Sequence, residues 1–231
     1  MLEAKREIDI ILRNETFRLL AERAVYWPSE GALLCSDLHW GREPYLQSKG
    51  FAVPESAFES ESAILTALAK RVEAREIWVL GDFIHHPQGL TASLREKLGQ
   101  WGQSLGDVKV TLIPGNHDRS AREWAPACGL ALAPEGIHRG EFEFQHEGTP
   151  GSRFAWYGHL HPSIRIPELF GHRKLPCFLV RRNEAFLPAF SRLAGGGEIG
   201  RIRPSDRIYP IHEDQVFHFG FDEERPAEKE P

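Results

Sequence analysis

Five times along this chain an apolar, strand-like run halts and hands over at once to Asp, Asn or His. The clearest case is Val108, Val110, Leu112 and Ile113, which lead into Pro114-Gly115 and then Asn116, His117 and Asp118. A run that stops in a tight turn sets polar side chains at the C-terminal edge of a sheet, where open α/β sheets bind their ligands. The other four runs end at Asp37 and His39, at Asp82 with His85 and His86, at His146, and at His159 with His161. A fold that brings these ends together builds one polar site, and that requirement constrains the chain more than any other feature.

The spacers suit such a fold. From Pro54 to Arg75, Ile64, Leu65, Leu68 and Val72 form one helical stripe, with Glu61 and Lys70 off it. Leu94, Leu98 and Trp101 mark a second helix from Thr91 to Leu105. Strand, helix, strand, helix, strand favours parallel pairing through right-handed crossovers. Residues 17–20 and 23–27 read as antiparallel strands, and residues 40–54 as a loop bearing Trp40, Tyr45 and Phe51. After Asp118 a short helix is expected over Ala121–Ala127, and from residue 141 onward the pattern is mostly β, with strands at 177–180 and 185–190. The expectation is a single α/β domain over residues 1–221, followed by a charged, Pro-containing disordered tail over 222–231.

At 231 residues, with 41% hydrophobic and 26% charged side chains, the chain has the composition of a globular domain with a substantial core. Its net charge of -5 does not suggest a general nucleic-acid coat, and it fits carboxylates gathered for cations. Cys35, Cys128 and Cys177 are odd in number and scattered, so a reducing, cytoplasmic setting is expected. No apolar run approaches membrane-spanning length, and no membrane association is expected.

His, Asp and Asn at strand ends are the donors of a divalent-metal site. Two cations about 3.5 Å apart need a shared anionic ligand to offset their repulsion, and Asp82 is the natural bridge. The mixed donor set suits Mn²⁺ first, with Fe²⁺ or Zn²⁺ as alternatives, over Ca²⁺. Such a pair polarises a phosphoryl group and brings a water towards hydroxide, and a His not used on metal protonates the leaving alkoxide.

With these motifs in hand, residues from about 31 to 165 resemble the calcineurin-like metallophosphoesterases. The resemblance implies a four-layer α/β/β/α sandwich of two mixed sheets flanked by helices. It implies two divalent metal ions: Asp37, His39, Asp82 and His161 around the first, and Asp82, Asn116, His146 and His159 around the second. His117 matches the general acid, and Asp118 the residue that orients its loop. His85, three after Asp82, looks like the phosphate-contacting His of the Mre11-type nuclease branch. A finer likeness runs through residues 50–54, 115–119, 158–162, 175–178 and 187–190 with Gly195 and Gly196. These are similar to the bacterial ligase-associated DNA damage response endonucleases (the PdeM family). That similarity implies a DNA nuclease of repair, hydroxide attack on the scissile phosphate, and a DNA ligase and a helicase as partners.

Arg119 is a candidate phosphate contact or a cap of the following helix, and Trp40 is a lid on the core or a candidate stacking face for an unpaired base. The basic runs at 172–174 and 181–182 are candidates for a DNA-facing patch. His146 is followed by Glu147 and Gly148, where many relatives have His-Gly-His, and Glu43 places an acidic group near the first motif. The competing expectations are a small-nucleotide phosphodiesterase or phosphatase, and a binding module of the same fold that has lost catalysis.

Overall fold

The computed structural model describes residues 4–53, 56–166, 171–200 and 202–219. The expected tail over 222–231 lies outside these residues. Strand β1 (Ala4–Lys5) belongs to the second of two sheets. The first sheet starts with four antiparallel strands, β2 (Glu7–Leu12), β3 (Glu15–Leu20), β4 (Ala24–Trp27) and β5 (Ala32–Cys35). Next come α1 (Arg42–Ser48), α2 (Ala57–Arg71), β6 (Glu76–Leu80), α3 (Ala92–Ser104), β7 (Lys109–Ile113), α4 (Ala121–Trp124) and β8 (Ala131–Leu132). The sheet order is β2-β3-β4-β5-β6-β7-β8, parallel from β5 onward.

The second sheet collects β9 (Ile137–Arg139), β10 (Phe142–Gln145), β11 (Phe154–Tyr157), β12 (Pro162–Arg165), β13 (Lys174–Val180), β14 (Glu184–Phe186), β15 (Gly197–Glu198), β16 (Arg207–His212) and β17 (Gln215–Phe217). Its order is β1-β17-β16-β13-β14-β11-β10-β9, with β12 beside β13 and β15. Strands β10, β11 and β14 run parallel, and β9, β13, β16 and β17 pair antiparallel.

Alternation along the first sheet sorts its side chains between two cores. Leu33, Ile77 and Val110 face α2 and α3, where they meet Leu65, Leu68, Leu94, Leu98 and Trp101. Leu34 and Trp78 face the second sheet. Between the sheets lies an aromatic layer of Phe17, Trp27, Trp78, Phe142, Phe144 and Trp156. Phe17 stacks on Trp27 at 4.9 Å and meets Phe142 edge-on at 5.0 Å. Such pairs add about 0.5–1.5 kcal/mol each beyond their buried area. The two mixed sheets of the expected sandwich are therefore present, and the described helices all lie between β5 and β8.

Register places the site. Cys35 pairs with Val79, and Val79 with Leu112, so the turns after β5, β6 and β7 leave the sheet side by side. Gln145 pairs with Tyr157, which sets the turns after β10 and β11 together on the second sheet.

Local departures from the sequence reading have physical causes. Residues 40–54, expected as a loop, contain α1. The strand expected over residues 185–190 pairs only to Phe186, and Phe190 then donates its N–H to the Ser36 carbonyl at 2.9 Å. The helix expected over Ala121–Ala127 gives way to a 3-10 turn at Pro126, because proline supplies no N–H to an α-helix.

Candidate metal centre

The sheet-edge turns converge as the register requires. Asp37, His39, Asp82, His159 and His161 all have positive φ, between 45° and 62°. Each such residue costs on the order of 1 kcal/mol, and the five together turn their side chains toward one point. Two glycines permit the close approach. A Cβ on Gly81 would lie 2.1 Å from His146 Nδ1, and one on Gly115 would lie 2.3 Å from Asp82 Oδ1.

Asp82 stands between two groups of donors. Its Oδ2 lies 3.8 Å from His39 Nε2, and its Oδ1 lies 3.5 Å from His146 Nε2. On the Oδ2 side, His161 Nε2 is 2.9 Å from Asp37 Oδ1 and 3.5 Å from His39 Nε2. On the Oδ1 side, Asn116 Oδ1, His146 Nε2 and His159 Nδ1 lie 3.0–3.2 Å from one another. Adjacent ligands on one small cation sit roughly 3 Å apart when the bonds are about 2.1 Å.

Hydrogen bonding tests whether this group suits a cation. His146 Nδ1 sits 2.9 Å from the Leu80 carbonyl, which can only accept. The ring proton is therefore on Nδ1, and Nε2 presents a lone pair to the Asn116 amide oxygen at 3.0 Å. Lone pairs facing one another at that distance fit a cation between them. His159 is oriented the same way: its Nε2 lies 3.3 Å from the Glu147 carboxylate, so Nδ1 turns inward. Asp37, His39 and His161, and separately Asp82, His146 and His159, are groups whose donor atoms could each hold a metal ion.

Burial tunes the groups. Burial pushes the His39 imidazole down to about 3 and His85 down to about 4, so both rings are neutral at pH 7. Burial alone would raise Asp37, but the hydrogen bond and charge of His161 outweigh it and hold the carboxyl below its usual range. Burial likewise acts to lower His161, and Asp37 reverses it. Asp118 is pushed up to about 6 by burial, against three backbone N–H groups that it accepts from Gly115, Ile84 and Phe83. Those bonds hold the 82–85 turn to the 115–118 turn, so Asp118 acts on backbone and not on the site's contents.

The other expected residues divide. His117 donates its backbone N–H to Asp82 Oδ1 at 3.0 Å, and its ring stacks on His85 at 5.4 Å. His117 Nδ1 lies 2.5 Å from the His85 carbonyl. Arg119 is exposed just before α4, and among the described residues its guanidinium has no hydrogen-bond partner. Trp40 is a correction. It is 1% exposed, packed edge-on against Phe58, Phe83 and Trp101, and its indole donates to Glu61 at 3.0 Å. No face of it is open to a base. Glu43 also turns away, buried and accepting the Ala57 N–H at the start of α2. In the basic runs, Arg181 is engaged by Glu184 and Asp206, whereas Arg182 and residues 172–174 are exposed.

Three contributors were not legible. Glu61, placed off the apolar stripe by the sequence, is 4% exposed and accepts from both Trp40 and the Arg192 N–H. It thereby ties the His39 turn to the 189–194 loop, where the Ser191 N–H bonds the Asp37 carbonyl at 3.3 Å. Glu147 orients His159. Tyr45, on α1, lies against His85 and His86. The only sequence signal for the two carboxylates was charge at unexpected positions, and Tyr45 gave none.

Comparison with known proteins agrees with the geometry. A family model described as calcineurin-like phosphoesterase matches residues 32–227. Among solved structures, the nuclease MPE of Pseudomonas putida is 30% identical, with a TM-score of 0.80, covering 92% of this chain and 100% of its own. Yfce, a phosphoesterase from E. coli, is 14% identical over 80% of this chain and 90% of its own, with a TM-score of 0.41, too slight a likeness to bear on the site. No curated protein matches. Among the described residues no helix is long and apolar enough to cross a membrane.

Proposed function

This chain belongs to the calcineurin-like phosphoesterases and is a metal-dependent phosphoesterase, and on that premise we propose that it is a two-metal phosphodiesterase that cleaves DNA. The observation that carries the reading is Asp82, one carboxylate facing two separate groups of His, Asp and Asn donors. The 30% identical neighbour, matched over its whole length, is named a nuclease, which supports a nucleic-acid substrate. A place in DNA repair beside a ligase and a helicase extends the same reading. Three buried, unbonded cysteines support a reducing, cytoplasmic setting.

In this reading Asp37, His39, Asp82 and His161 hold one cation, and Asp82, Asn116, His146 and His159 the other. Mn²⁺ is the first choice, with Fe²⁺ and Zn²⁺ also suited to these donors. Bound divalent ions supply Lewis-acid polarisation of the phosphoryl group and an activated water. The chain supplies the rest. The His85 carbonyl fixes a proton on His117 Nδ1, so Nε2 is the ring atom left to take up a second proton, and the imidazolium so formed passes that proton to the leaving oxygen. His85, neutral at pH 7, offers a phosphate oxygen a hydrogen bond without adding charge. Arg119 offers its free guanidinium to a neighbouring phosphate. Asp118 keeps the His85 and His117 turns in register.

A second reading has one observation in its favour. The cavity of about 370 Å³ beside Asn116 and His146 is lined by Glu135 and Glu147. Carboxylates there disfavour a long polyanion on that side and suit a small nucleotide.

The deciding experiment incubates Mn²⁺-loaded protein with labelled single-stranded DNA, supercoiled plasmid, a small phosphodiester and a phosphomonoester, with Asp82→Ala as the blank. DNA cleavage absent from the blank is the expected result. Turnover of the small diester with intact DNA would transfer the assignment to the small-nucleotide reading.

A further inference from the structure

From the centre outward, four rings follow one another. His117 stacks on His85 (5.4 Å between centroids, 19° between planes), Tyr45 meets His85 edge-on at 5.4 Å, and Tyr45 stacks on His86 (4.4 Å, 30°). The row begins on the residue that faces Asp82 and ends on the half-buried rings of Tyr45 and His86. Two cations accompany it. The Lys49 ammonium lies over the Tyr45 ring at 5.4 Å, and Arg42, which opens the same helix three residues before Tyr45, donates to the Leu193 carbonyl at 2.7 Å. The rim nearby is apolar: Phe51, just beyond α1, is 61% exposed and Leu193 is 46% exposed. His86 Nδ1 accepts the Gln88 N–H at 3.1 Å, so the neutral ring carries its proton on Nε2, a further donor.

Aromatic faces interleaved with cations are the means by which proteins hold unpaired nucleotides: bases stack on rings while cations follow the phosphates. An exposed Lys over an aromatic face is also a weak contact, and a stacked base can replace it. We propose that Tyr45, backed by His86 and flanked by Arg42 and Lys49, is a stacking subsite for the unpaired nucleobase next to the scissile phosphate. This rests on the phosphodiesterase reading and deepens it, because it moves the base-stacking role from buried Trp40 to a half-buried ring joined to His117 through His85. It also gives the site a substrate preference: a nucleotide whose base is free to leave a helix.

The test uses two esters with one leaving group, thymidine 5′-(p-nitrophenyl phosphate), which carries a base, and methyl p-nitrophenyl phosphate, which does not. The readout is the ratio of the methyl ester's KM to the thymidine ester's KM, so a general disturbance of the centre cancels. The wild-type ratio is expected well above one. In Tyr45→Ala it is expected to fall by roughly 5- to 150-fold, the range for losing one base–aromatic stack. Tyr45→Phe, which keeps the ring, is expected to restore it and guards against misfolding of the smaller variant. A ratio unchanged in Tyr45→Ala overturns the subsite and leaves the phosphodiesterase reading standing. Wild-type protein that hydrolyses neither ester nor a single-stranded oligonucleotide removes the reading and the subsite together.

Discussion

The two halves of the candidate metal centre face one carboxylate and are otherwise built differently. Around Asp37 the donors are enclosed: Asp37 is 0% exposed and His39 6% exposed, and the backbone of two further loops closes over them. Around Asn116 two of the three donors meet solvent, Asn116 and His159, the latter held by an exposed Glu147 carboxylate, whereas His146 is buried. Charge attracts charge far more strongly where water is excluded, whereas solvent and salt weaken the same contact at a surface. The enclosed half is therefore expected to hold its ion more firmly than the open half.

The largest effect is expected where the halves join. Asp82→Ala removes a ligand from both, and metal analysis after gel filtration should find neither ion retained. Two equivalents still bound would show that the halves do not depend on a common bridge. A smaller, one-sided effect is expected from Gly81→Ala, whose Cβ would press on His146 Nδ1 at a backbone φ of 81°. It should lose the open-half metal, keep the other, and lower stability by about 1–3 kcal/mol, as read by metal counting and thermal unfolding. Equal loss from both halves would mean that they are a single mechanical unit. The smallest effect should come from Glu147→Gln, which loosens His159 through a solvent-exposed contact. Metal titration should show up to about tenfold weaker binding in the open half alone, the low end for removing a ligand's hydrogen-bonded support.

Legibility in the sequence followed the same division between local and distant causes. Asp37, Asp82, Asn116 and His159 were legible because only one or two residues separate each from the end of an apolar strand, and parallel register then had to bring them together. His146 was the hardest of the set to read, and the Leu80 carbonyl, far away in sequence, is what turns its ring inward. Helix α1 was missed because residues 42–48 carry no apolar periodicity. It is held by tertiary contacts, such as that of buried Glu43 with the start of α2. Trp40 had two readings, a lid on the core and a stacking face, and the packing of Phe58 on α2 and Trp101 on α3 decides for the lid.

The positive φ values at Asp37, His39, Asp82, His159 and His161 restrict what this centre can become. Asp, Asn, His and Gly enter that region of backbone space most readily, and β-branched or bulky side chains hardly at all. The peptide geometry has therefore screened the available ligands before any ion selects among them. Oxygen and imidazole donors pass the screen. A redesign toward a thiolate-rich, soft-metal centre would have to rebuild the strand-end turns first, since exchanging side chains alone leaves the chain in a conformation that favours the hard-donor set it already carries.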